Sequence, residues 1–268
     1  MQRWLFTTVL RMPYFKGKTR LIHWMRQGFT QYQCSLKYGF QMELDCREWA
    51  QLQLAQHHDL EALTAQLVTR LLKEGDTYVD VGAHVGYLTL VARKRLGSSG
   101  KVIAVEPQPY NCEKLLRNWE INGFSNLHLL VAAAGTSGGL VSLPQQEAND
   151  KSRLSLVLPM PRATSLSFTV PILTLSEVLE RSEVTKISLL KLDVEGCEYD
   201  VLKSLGEYFP YVQNVIVEVL GGNDDDARSK DTCKLLQEQG YSLMQIDGAP
   251  WSGFFPVPEN NIWASRNK

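Results

Sequence analysis

Short apolar runs alternate along the chain with longer segments in which apolar residues recur at a helical spacing. A short run bounded by turn residues is typical of a buried strand, and i, i+3, i+4 spacing is typical of a helix that buries one face. The runs that we predict to be strands cover 78–81, 101–106, 127–133, 170–173, 187–192, 212–220, 241–246 and 261–265. Strands that alternate with helices predict a doubly wound, Rossmann-like α/β fold with a mostly parallel sheet. No helix separates the last two strands, so one strand near the C-terminus should run antiparallel.

Two of the helical segments bear on the site. The apolar spacing predicts one continuous helical region over 48–72, and after the first strand of the sheet the pattern turns helical at His84. Three cations in the last turn of that second helix suit the negative end of the helix dipole, and Gly97 can cap it. His57 and His58 fall within the first region. We expect them to be packed or exposed, and a place at the mouth of an acceptor pocket is the alternative.

The chain divides into an N-terminal extension of helices and a hairpin at 1–59 and a larger α/β domain at 60–268. Within the larger domain, 138–167 is rich in Ser, Gly, Pro and Asn and carries only short apolar stretches. Loops of this length usually have a function of their own or are disordered. We therefore predict that this segment is an inserted hairpin or lid.

The first 42 residues contain seven cations, many aromatic residues and no acid. One interpretation is a peripheral patch for anionic lipid or for an acidic acceptor. The other is a helical extension that packs on the core and leaves its cations in water. A surface helix usually separates its apolar and polar faces more cleanly than this segment does. We therefore favour packing on the core over peripheral membrane contact.

The segment 77–87 reads Thr-Tyr-Val-Asp-Val-Gly-Ala-His-Val-Gly-Tyr and predicts a strand, a tight glycine turn and a helix. Small residues in such a turn let the backbone approach a ligand, and the first N–H groups of the helix are available as donors. This arrangement is typical of a site for a nucleoside-type cofactor. The candidate cofactor-binding residues in this segment are Asp80, Gly82, Ala83, Gly86 and Tyr87.

The spacing of the glycines narrows the choice of cofactor. A dinucleotide site requires G-x-G-x-x-G so that the backbone can reach a pyrophosphate, and His84 occupies a position where a third glycine could have stood. The fit to NAD is therefore poor, and an NAD-dependent oxidoreductase is the less favoured enzyme. Asp80 is costly to bury without a partner. It either ties down the N–H groups of the loop or helps to hold the ammonium of an amino-acid-bearing cofactor.

The second and third strands add further candidates. Glu106 ends its strand 24 positions after Gly82. This is near the offset of about 20 residues at which such folds place a carboxylate that accepts from ribose hydroxyls. Pro107 then stops the strand, and Asn111 can cap the next helix or reach the cofactor. Ala132 and Ala133 leave room for a flat ring, so we place adenine there, with plain close packing as the alternative.

The fourth strand ends in Asp193 and Glu195, which should lie beside the first strand at the ligand-binding edge of the sheet. We predict that one of these carboxylates contacts the acceptor or the cofactor and acts as a base, with Asp193 slightly favoured. The alternative is that both cap the following helix. Glu218, near the end of the fifth strand, could join them, and three acids could bind a divalent metal. The spacing does not demand a metal, so we assign no metal-binding residues.

Three motifs carry a resemblance to a known family. They are Val-Asp-Val-Gly-Ala-His-Val-Gly-Tyr at 79–87, Val-Glu-Pro at 105–107 and Leu-Lys-Leu-Asp-Val-Glu-Gly-Cys-Glu at 190–198. Together they resemble the FkbM-type methyltransferases, which use S-adenosyl-L-methionine, and the resemblance covers roughly 60–241. The third motif is the most specific. One departure is His84, where the family usually has Asn.

The resemblance implies a class I methyltransferase fold with 60–268 as its catalytic domain and S-adenosyl-L-methionine as its cofactor. It also implies O-methylation of a hydroxyl on a sugar, polyketide or other small molecule. The alternative of another class is a non-catalytic nucleotide-binding module attached peripherally to a membrane through 1–42. Neither the residues nor the resemblance names the acceptor.

Composition excludes several other functions. Hydrophobic residues make up 44% of the 268 residues and the formal net charge is −1, so no global field attracts nucleic acid. The five cysteines are scattered and form no C-x-x-C pair, which favours free thiols in a reducing compartment. No apolar run approaches the length of a membrane span, and no signal-peptide layout is present. We therefore expect a cytoplasmic protein.

Overall fold

The computed structural model describes residues 2–144, 167–219 and 225–266. The helices are α1 (Gln2–Arg11), α2 (Lys18–Met25), α3 (Trp49–His57), α4 (Ala62–Leu71), α5 (Tyr87–Leu96), α6 (Pro109–Glu120), α7 (Leu175–Arg181), α8 (Glu198–Lys203) and α9 (Asp225–Glu238). The strands are β1 (Tyr32–Ser35), β2 (Gln41–Leu44), β3 (Thr77–Val81), β4 (Lys101–Val105), β5 (Leu127–Leu130), β6 (Ala133–Ala134), β7 (Gly139–Pro144), β8 (Ser167–Leu173), β9 (Leu189–Leu192), β10 (Asn214–Glu218), β11 (Ser242–Gln245) and β12 (Asn261–Ser265).

A seven-stranded sheet organises the molecule, in the order β11-β12-β10-β9-β3-β4-β5. The central neighbours β10, β9, β3, β4 and β5 pair in parallel, whereas β12 is antiparallel to both β10 and β11. The prediction of a doubly wound α/β fold with one antiparallel strand near the C-terminus is confirmed.

The alternation of side chains along β3 explains how this sheet is buried on both faces. Tyr78 packs into one apolar cluster, while Val79 and Val81 pack into a second cluster. Successive side chains of a strand point to opposite faces, so each face must be covered by its own layer. Both clusters consist of buried apolar side chains, and the sheet therefore forms the centre of the core.

The N-terminal residues share one of these two clusters. Phe6 of α1 and Met42 of β2 are buried in the same cluster as Tyr78 and Leu90 of the central sheet and α5. The strands β1 and β2 form an antiparallel hairpin, in which Tyr32 lies opposite Leu44. The N-terminal helices and hairpin thus cover one face of the α/β domain.

The helical region predicted over 48–72 is broken in the structure. Helix α3 ends at His57, and α4 begins only at Ala62. His58 and Glu61 have positive φ angles of 58° and 49°, which a right-handed helix cannot accommodate. The imidazole of His58 bonds to the carbonyl oxygen of Ser35 at 2.8 Å, so this residue fixes the break between the two helices.

Two other boundaries also differ from the prediction. Helix α5 begins at Tyr87 and not at His84, because His84 and Gly86 have left-handed φ angles of 51° and 89°. The strand predicted over 127–133 ends at Leu130, and Ala133–Ala134 joins a separate three-stranded sheet with β8 and β7.

The segment predicted to be a hairpin or lid is only partly described. Strands β7 and β8 pair antiparallel, with Gly139 opposite Ile172 and Pro144 opposite Ser167. The residues between these two strands, 145–166, lie outside the described residues. Among the described helices, none has both the length and the apolar character needed to span a bilayer.

Candidate active site

The carboxyl ends of the central strands surround a cavity of about 730 Å³. Turns after β3, β4, β9 and β10 form its floor, and residues from α3, the start of α4 and the C-terminal segment 259–261 complete its wall. Open α/β sheets bind their ligands at this edge, where the strand order reverses between neighbouring strands. The topology therefore identifies this cavity as the candidate active site.

The glycine turn after β3 is held by backbone hydrogen bonds to the neighbouring strand. The N–H groups of Gly82 and Ala83 donate to the carbonyl oxygen of Val105 at 2.9 and 3.1 Å. The N–H of His84 donates to Oε2 of Glu106 at 2.9 Å. Three donors of the turn are thus already satisfied by the protein. A turn that cradles a pyrophosphate would present such donors to the ligand.

Glycine is required at position 82 for two reasons. Its φ of 84° lies in the left-handed region, and a Cβ built there would stand 1.8 Å from the carbonyl oxygen of Asp193. No side chain fits at that distance from a backbone atom. The close approach brings the turn after β3 against the turn after β9, so the sequence motifs at 79–87 and 190–198 lie side by side.

Glu106 locks the glycine turn to the start of α6. Its Oε1 accepts from the N–H of Gln108 at 2.9 Å and from Nδ2 of Asn111 at 3.0 Å, while Oε2 accepts from the backbone of His84. Burial raises the pKa of Glu106 to about 7, although these three hydrogen bonds act in the opposite direction. Asn111 therefore positions the Glu106 carboxylate, and it is not among the residues that line the cavity.

Asp80 does not tie down the N–H groups of the glycine turn, which was one of its two predicted roles. Its Oδ2 accepts instead from the hydroxyl of Thr89 in α5 at 2.6 Å. Burial raises the pKa of this carboxyl, and the nearby ammonium of Lys191 opposes the shift. Asp80 lines the cavity from its position within β3.

An ion pair lies at the end of β9, in which Lys191 is buried and Asp193 is partly exposed. Nζ of Lys191 lies 2.7 Å from Oδ2 of Asp193. Burial alone would raise the pKa of Asp193, but the charge and hydrogen bond of Lys191 outweigh burial and lower it. Burial alone would lower the pKa of Lys191, but the negative charges of the surrounding carboxylates outweigh burial and raise it. Both members of the pair are therefore charged near neutral pH.

Glu218 lies at the end of the neighbouring strand β10, and its pKa is shifted in the opposite direction to that of Asp193. Burial, together with the negative charge of Asp193, raises the pKa of Glu218 to about 9. A hydrogen bond from Glu218 also contributes to the low pKa of Asp193. A neutral Glu218 therefore donates towards an ionised Asp193.

The turn after β9 is held by Glu198, and this role differs from the predicted capping by Asp193 and Glu195. Oε1 of Glu198 accepts from the N–H groups of Val194 and Gly196, both at 3.0 Å. The N-cap position of α8 is Cys197. Glu195 adopts a left-handed φ of 53° and lines the cavity. The carboxylate of Asp193 is engaged by Lys191 and does not cap the helix.

Three carboxylates in this region come close enough to share a cation. One oxygen each from Asp193, Glu198 and Glu218 lies within 4.8 Å of the others. Divalent cations such as Mg²⁺ and Ca²⁺ prefer oxygen ligands of this kind. The three acids considered from the sequence were Asp193, Glu195 and Glu218. In the structure the third member of this cluster is Glu198, and Glu195 does not belong to it. Because Lys191 already pairs with Asp193 and Glu218 has a raised pKa, the charge of the cluster is partly balanced by the protein itself.

Sequence reasoning missed two further acids of the cavity. Glu61, in the break between α3 and α4, has a pKa raised to about 7, mainly by burial, and its Oε2 has no hydrogen-bond partner among the described residues. Glu259 accepts from the N–H groups of Leu63 and Thr64, both at 2.9 Å, and so holds the N-terminus of α4. Glu61 was missed because the sequence predicted an unbroken helix over 48–72, in which this residue would have no special position. Glu259 was missed because it belongs to no recognisable motif.

The cavity has a strongly acidic lining. Among the described lining residues, Lys191 carries the one ammonium group, and the carboxyl groups belong to Glu61, Asp80, Glu106, Asp193, Glu195, Glu218 and Glu259. His84 also lines the cavity, and burial lowers the pKa of its imidazole to about 4, so this ring is neutral. The field inside the cavity therefore favours a ligand with positive charge.

Most of the predicted site residues line this cavity together. They are Asp80, Gly82, Ala83, Tyr87, Glu106, Pro107, Ala132, Ala133, Asp193 and Glu195. Gly86 does not line it. This residue forms the left-handed N-cap of α5, where a Cβ would meet the Leu115 side chain at 2.8 Å. His57 and His58 do not line the cavity either, and the imidazole of His58 bonds instead to the carbonyl oxygen of Ser35.

Comparisons with known proteins agree with this geometry. The family model described as the methyltransferase FkbM domain matches residues 80–243. "Methyltransferase 1" of Beauveria bassiana is 30% identical over 191 residues, which cover 65% of this chain and 75% of that protein. "Hexuronic acid methyltransferase AglP" of Haloferax volcanii is 31% identical over 182 residues, covering 66% and 70%. "Methyltransferase sdnD" of Sordaria araneosa is 27% identical over 202 residues, covering 65% and 76%. This chain belongs to the FkbM methyltransferase family.

Proposed function

We propose that this methyltransferase uses S-adenosyl-L-methionine to methylate a hydroxyl oxygen of a small molecule, such as a sugar or a polyketide. The observation that carries the proposal is the charge of the cavity. S-adenosyl-L-methionine bears a sulfonium and an ammonium, and both favour a cavity lined by carboxylates. NAD carries a pyrophosphate, which the same carboxylates would repel and which the satisfied N–H groups of the glycine turn could not hold.

The residues of the glycine turn fit this cofactor. A carboxylate has about four acceptor positions, and hydrogen bonds from the protein occupy three of those of Glu106. Its Oε2 therefore retains capacity for a ribose hydroxyl. Asp80 accepts a hydrogen bond from the Thr89 hydroxyl at Oδ2 and retains acceptor capacity with which it can hold the ammonium. Ala132 and Ala133 leave space for the adenine ring. When bound, the cofactor supplies an electrophilic methyl group, and the protein's contribution is to align and deprotonate the acceptor.

The acceptor hydroxyl must lose its proton, and the acids near β9 suit that task. Asp193 is ionised because Lys191 lowers its pKa, so it can accept a hydrogen bond from the hydroxyl and then its proton. Glu195 lines the same region. Glu61 adds a third candidate, since a base works best when its pKa lies near the operating pH, and the pKa of Glu61 is about 7.

The acid-rich lining also bears on the acceptor. Carboxylates accept hydrogen bonds from hydroxyl groups, so a molecule with several hydroxyls can engage several lining residues at once. The relative from Haloferax volcanii is named a hexuronic acid methyltransferase, and this name supports a sugar among the possible acceptors.

Isothermal titration of the full chain with S-adenosylhomocysteine, and with NAD as the comparison, tests the cofactor. We expect micromolar binding of S-adenosylhomocysteine and none of NAD. Glu106→Ala should abolish binding, whereas Glu113→Ala, an exposed acid on the adjacent helix α6, should leave it unchanged. Preference for NAD, or equal binding by both variants, would refute the cofactor assignment. With an acceptor in hand, unchanged turnover in Asp193→Asn and in Glu195→Gln would refute both as bases.

A further inference from the structure

The two N-terminal helices each bury one face and leave aromatic residues on the other. In α1, Phe6, Val9 and Leu10 are buried, whereas Trp4 and Arg11 lie about seven residues apart on the opposite face. In α2, Ile22 is buried, whereas Arg20 and Trp24 are exposed and lie one turn apart. Trp4 is 71% exposed and Trp24 is 76% exposed. The buried faces attach these helices to the core, and their outer faces are exposed.

The loop that joins α1 to α2 continues this exposed aromatic surface. Every residue of the loop, 12–17, is exposed, and Tyr14 is 83% exposed. The loop nevertheless has a defined anchor. The buried side chain of Lys18 donates from Nζ to the carbonyl oxygens of Leu10, at 3.2 Å, and Met12. This bond caps the end of α1, and it holds Tyr14 and Phe15 outwards.

Exposed apolar side chains are concentrated in this part of the molecule. Half of the large hydrophobic side chains left exposed in residues 2–144, 167–219 and 225–266 lie between Trp4 and Trp24. Single exposed apolar residues are normal, but a concentration of them marks an interaction surface. We call this region the N-terminal surface, and it consists of Trp4, Met12, Tyr14, Phe15 and Trp24 with the cations Arg11, Lys16 and Arg20.

The charge of the N-terminal surface identifies the kind of partner. No acid occurs in the first 42 residues, and in the described part of the chain Arg11, Lys16 and Arg20 form no ion pair. Aromatic rings interleaved with cations and free of acids match the headgroup region of an anionic bilayer.

The sequence favoured packing on the core over membrane contact, but packing uses only one face of each helix. We propose that the N-terminal surface binds this enzyme peripherally to anionic membranes. The aromatic side chains enter the interface between headgroups and acyl chains, and the three cations lie against lipid phosphates. The surface is also linked to the active site. Helix α1 packs against α3, and α3 begins with Trp49, an exposed residue that lines the cavity. Membrane binding would thus bring the cavity close to acceptors held in the bilayer surface.

Vesicle co-sedimentation of the full chain tests the proposal. We expect the protein to pellet with vesicles that contain phosphatidylserine, to stay in the supernatant with pure phosphatidylcholine, and to dissociate as salt is raised. Lys16→Glu/Arg20→Glu should weaken binding at least about twentyfold, since each cation near an anionic leaflet contributes about fivefold. Tyr14→Ala/Phe15→Ala should weaken binding to the same vesicles without changing its salt dependence.

Matched variants separate this surface from general charge and hydrophobicity. Lys73→Glu/Lys101→Glu makes the same charge change at two exposed lysines elsewhere, and Phe254→Ala/Leu140→Ala removes two other exposed apolar side chains. Both controls should pellet like the wild type, and circular dichroism should show that every variant is folded. Absence of pelleting by the wild type, or equal loss in the controls, would overturn the proposal. So would concentration-dependent dimers that Tyr14→Ala/Phe15→Ala abolishes, because the surface would then bind a second copy.

Discussion

Glu106 and Glu218 both lie at the carboxyl ends of strands in the central sheet, but the protein surrounds the two carboxylates in different ways. Glu106 accepts three hydrogen bonds from groups within a few residues of the glycine turn and α6. Glu218 has an oxygen, Oε2, with no partner among the described residues, and its pKa is raised to about 9. We call the first environment the glycine-turn half of the cavity and the second, with Glu61, Lys191 and Asp193, the carboxylate half.

The difference shows two ways of stabilising a buried acid. In the glycine-turn half, fixed backbone N–H groups hold the carboxylate in one geometry, which suits a cofactor that is the same in every turnover. In the carboxylate half, side-chain charges oppose one another, and protons are distributed unequally between neighbouring groups. Such an arrangement can change its protonation when an acceptor binds. Mutations in the glycine-turn half should therefore affect stability and binding mainly by changing the backbone geometry. Mutations in the carboxylate half should act mainly by changing the charges of neighbouring groups.

Gly82→Ala should have the largest effect, because it disrupts the close contact between the turn after β3 and the turn after β9, which joins the two halves. The new Cβ would stand 1.8 Å from the carbonyl oxygen of Asp193, and the turn and β9 would have to separate. We expect a loss of about 4 kcal/mol or more in the free energy of unfolding, measured with urea, and loss of S-adenosylhomocysteine binding. Gly123→Ala is the matched control, since its φ of 61° is also positive but nothing lies within 4 Å of the Cβ. That variant should lose only about 1 kcal/mol. Equal losses in the two variants would show that the contact with Asp193 is unimportant.

Lys191→Met should have the next largest effect, because it leaves the carboxylate of Asp193 without its partner. Breaking a buried ion pair on one side costs about 3 kcal/mol. The double variant Lys191→Met/Asp193→Asn removes both charges and should recover part of this loss. Urea unfolding of the two variants beside the wild type measures the difference. If the double variant is no more stable than the single one, the cost comes from lost packing of Lys191 and not from the unpaired charge.

Glu218→Gln tests the proton assigned to the carboxylate half. In the folded protein the pKa of Glu218 is about 9, well above its value of about 4.5 in an unfolded chain. The proton on Glu218 therefore stabilises the fold at low pH, and this contribution is lost as pH rises towards the folded pKa. The wild type should lose about 3 kcal/mol of stability between about pH 6 and pH 8 through this group, at about 1.4 kcal/mol per pH unit.

Glutamine retains the neutral, hydrogen-bonding form of Glu218 and cannot ionise. The variant should thus lose less stability than the wild type over the same pH range, as measured by urea unfolding at several pH values. Glu61 and Glu106 also have raised pKa values of about 7, so part of the slope should persist. Identical pH profiles for Glu218→Gln and the wild type would show that Glu218 is already ionised in the folded protein.

Sequence patterns predicted the glycine-turn half well because its parts are contiguous. The turn at Gly82, the acid at Glu106 and the strand that separates them all lie within one stretch of about 30 residues, and their spacing encodes their contacts. The sheet and its antiparallel strand followed from the same local periodicity. The start of α5 was misplaced because apolar spacing does not register the left-handed φ angles of His84 and Gly86.

The carboxylate half could be predicted only in part. Asp193 and Glu195 were identified from one motif, but Lys191 was not, since a lysine within an apolar strand gives no indication of its partner. Glu61 and Glu259 reach the cavity from segments about 200 residues apart in the chain, and their proximity depends on how α4 packs against the C-terminal segment. No local pattern encodes such a contact.

Glu259→Ala should have the smallest effect of the set, and it tests whether the two halves are independent. Glu259 supplies the acceptor for the first N–H groups of α4 and for the Thr64 hydroxyl, in the manner of an N-cap contributed from another part of the chain. Its loss should cost about 1 kcal/mol in urea unfolding. Glu238→Ala, which removes an exposed acid that pairs with Lys234 in α9, is the control and should cost less than about 0.5 kcal/mol.

The effect of Glu259→Ala on ligand binding shows whether the two halves of the cavity bind their ligands independently or as one unit. Glu259 and Glu61 lie at the same end of α4, and neither contacts Glu106 through a described hydrogen bond. If the glycine-turn half holds the cofactor by itself, Glu259→Ala should bind S-adenosylhomocysteine with wild-type affinity while its KM for the acceptor rises. A parallel loss of S-adenosylhomocysteine affinity would show that α4 positions both ligands. The cavity would then be a single cooperative unit, and the contrast between Glu106 and Glu218 would reflect local chemistry alone.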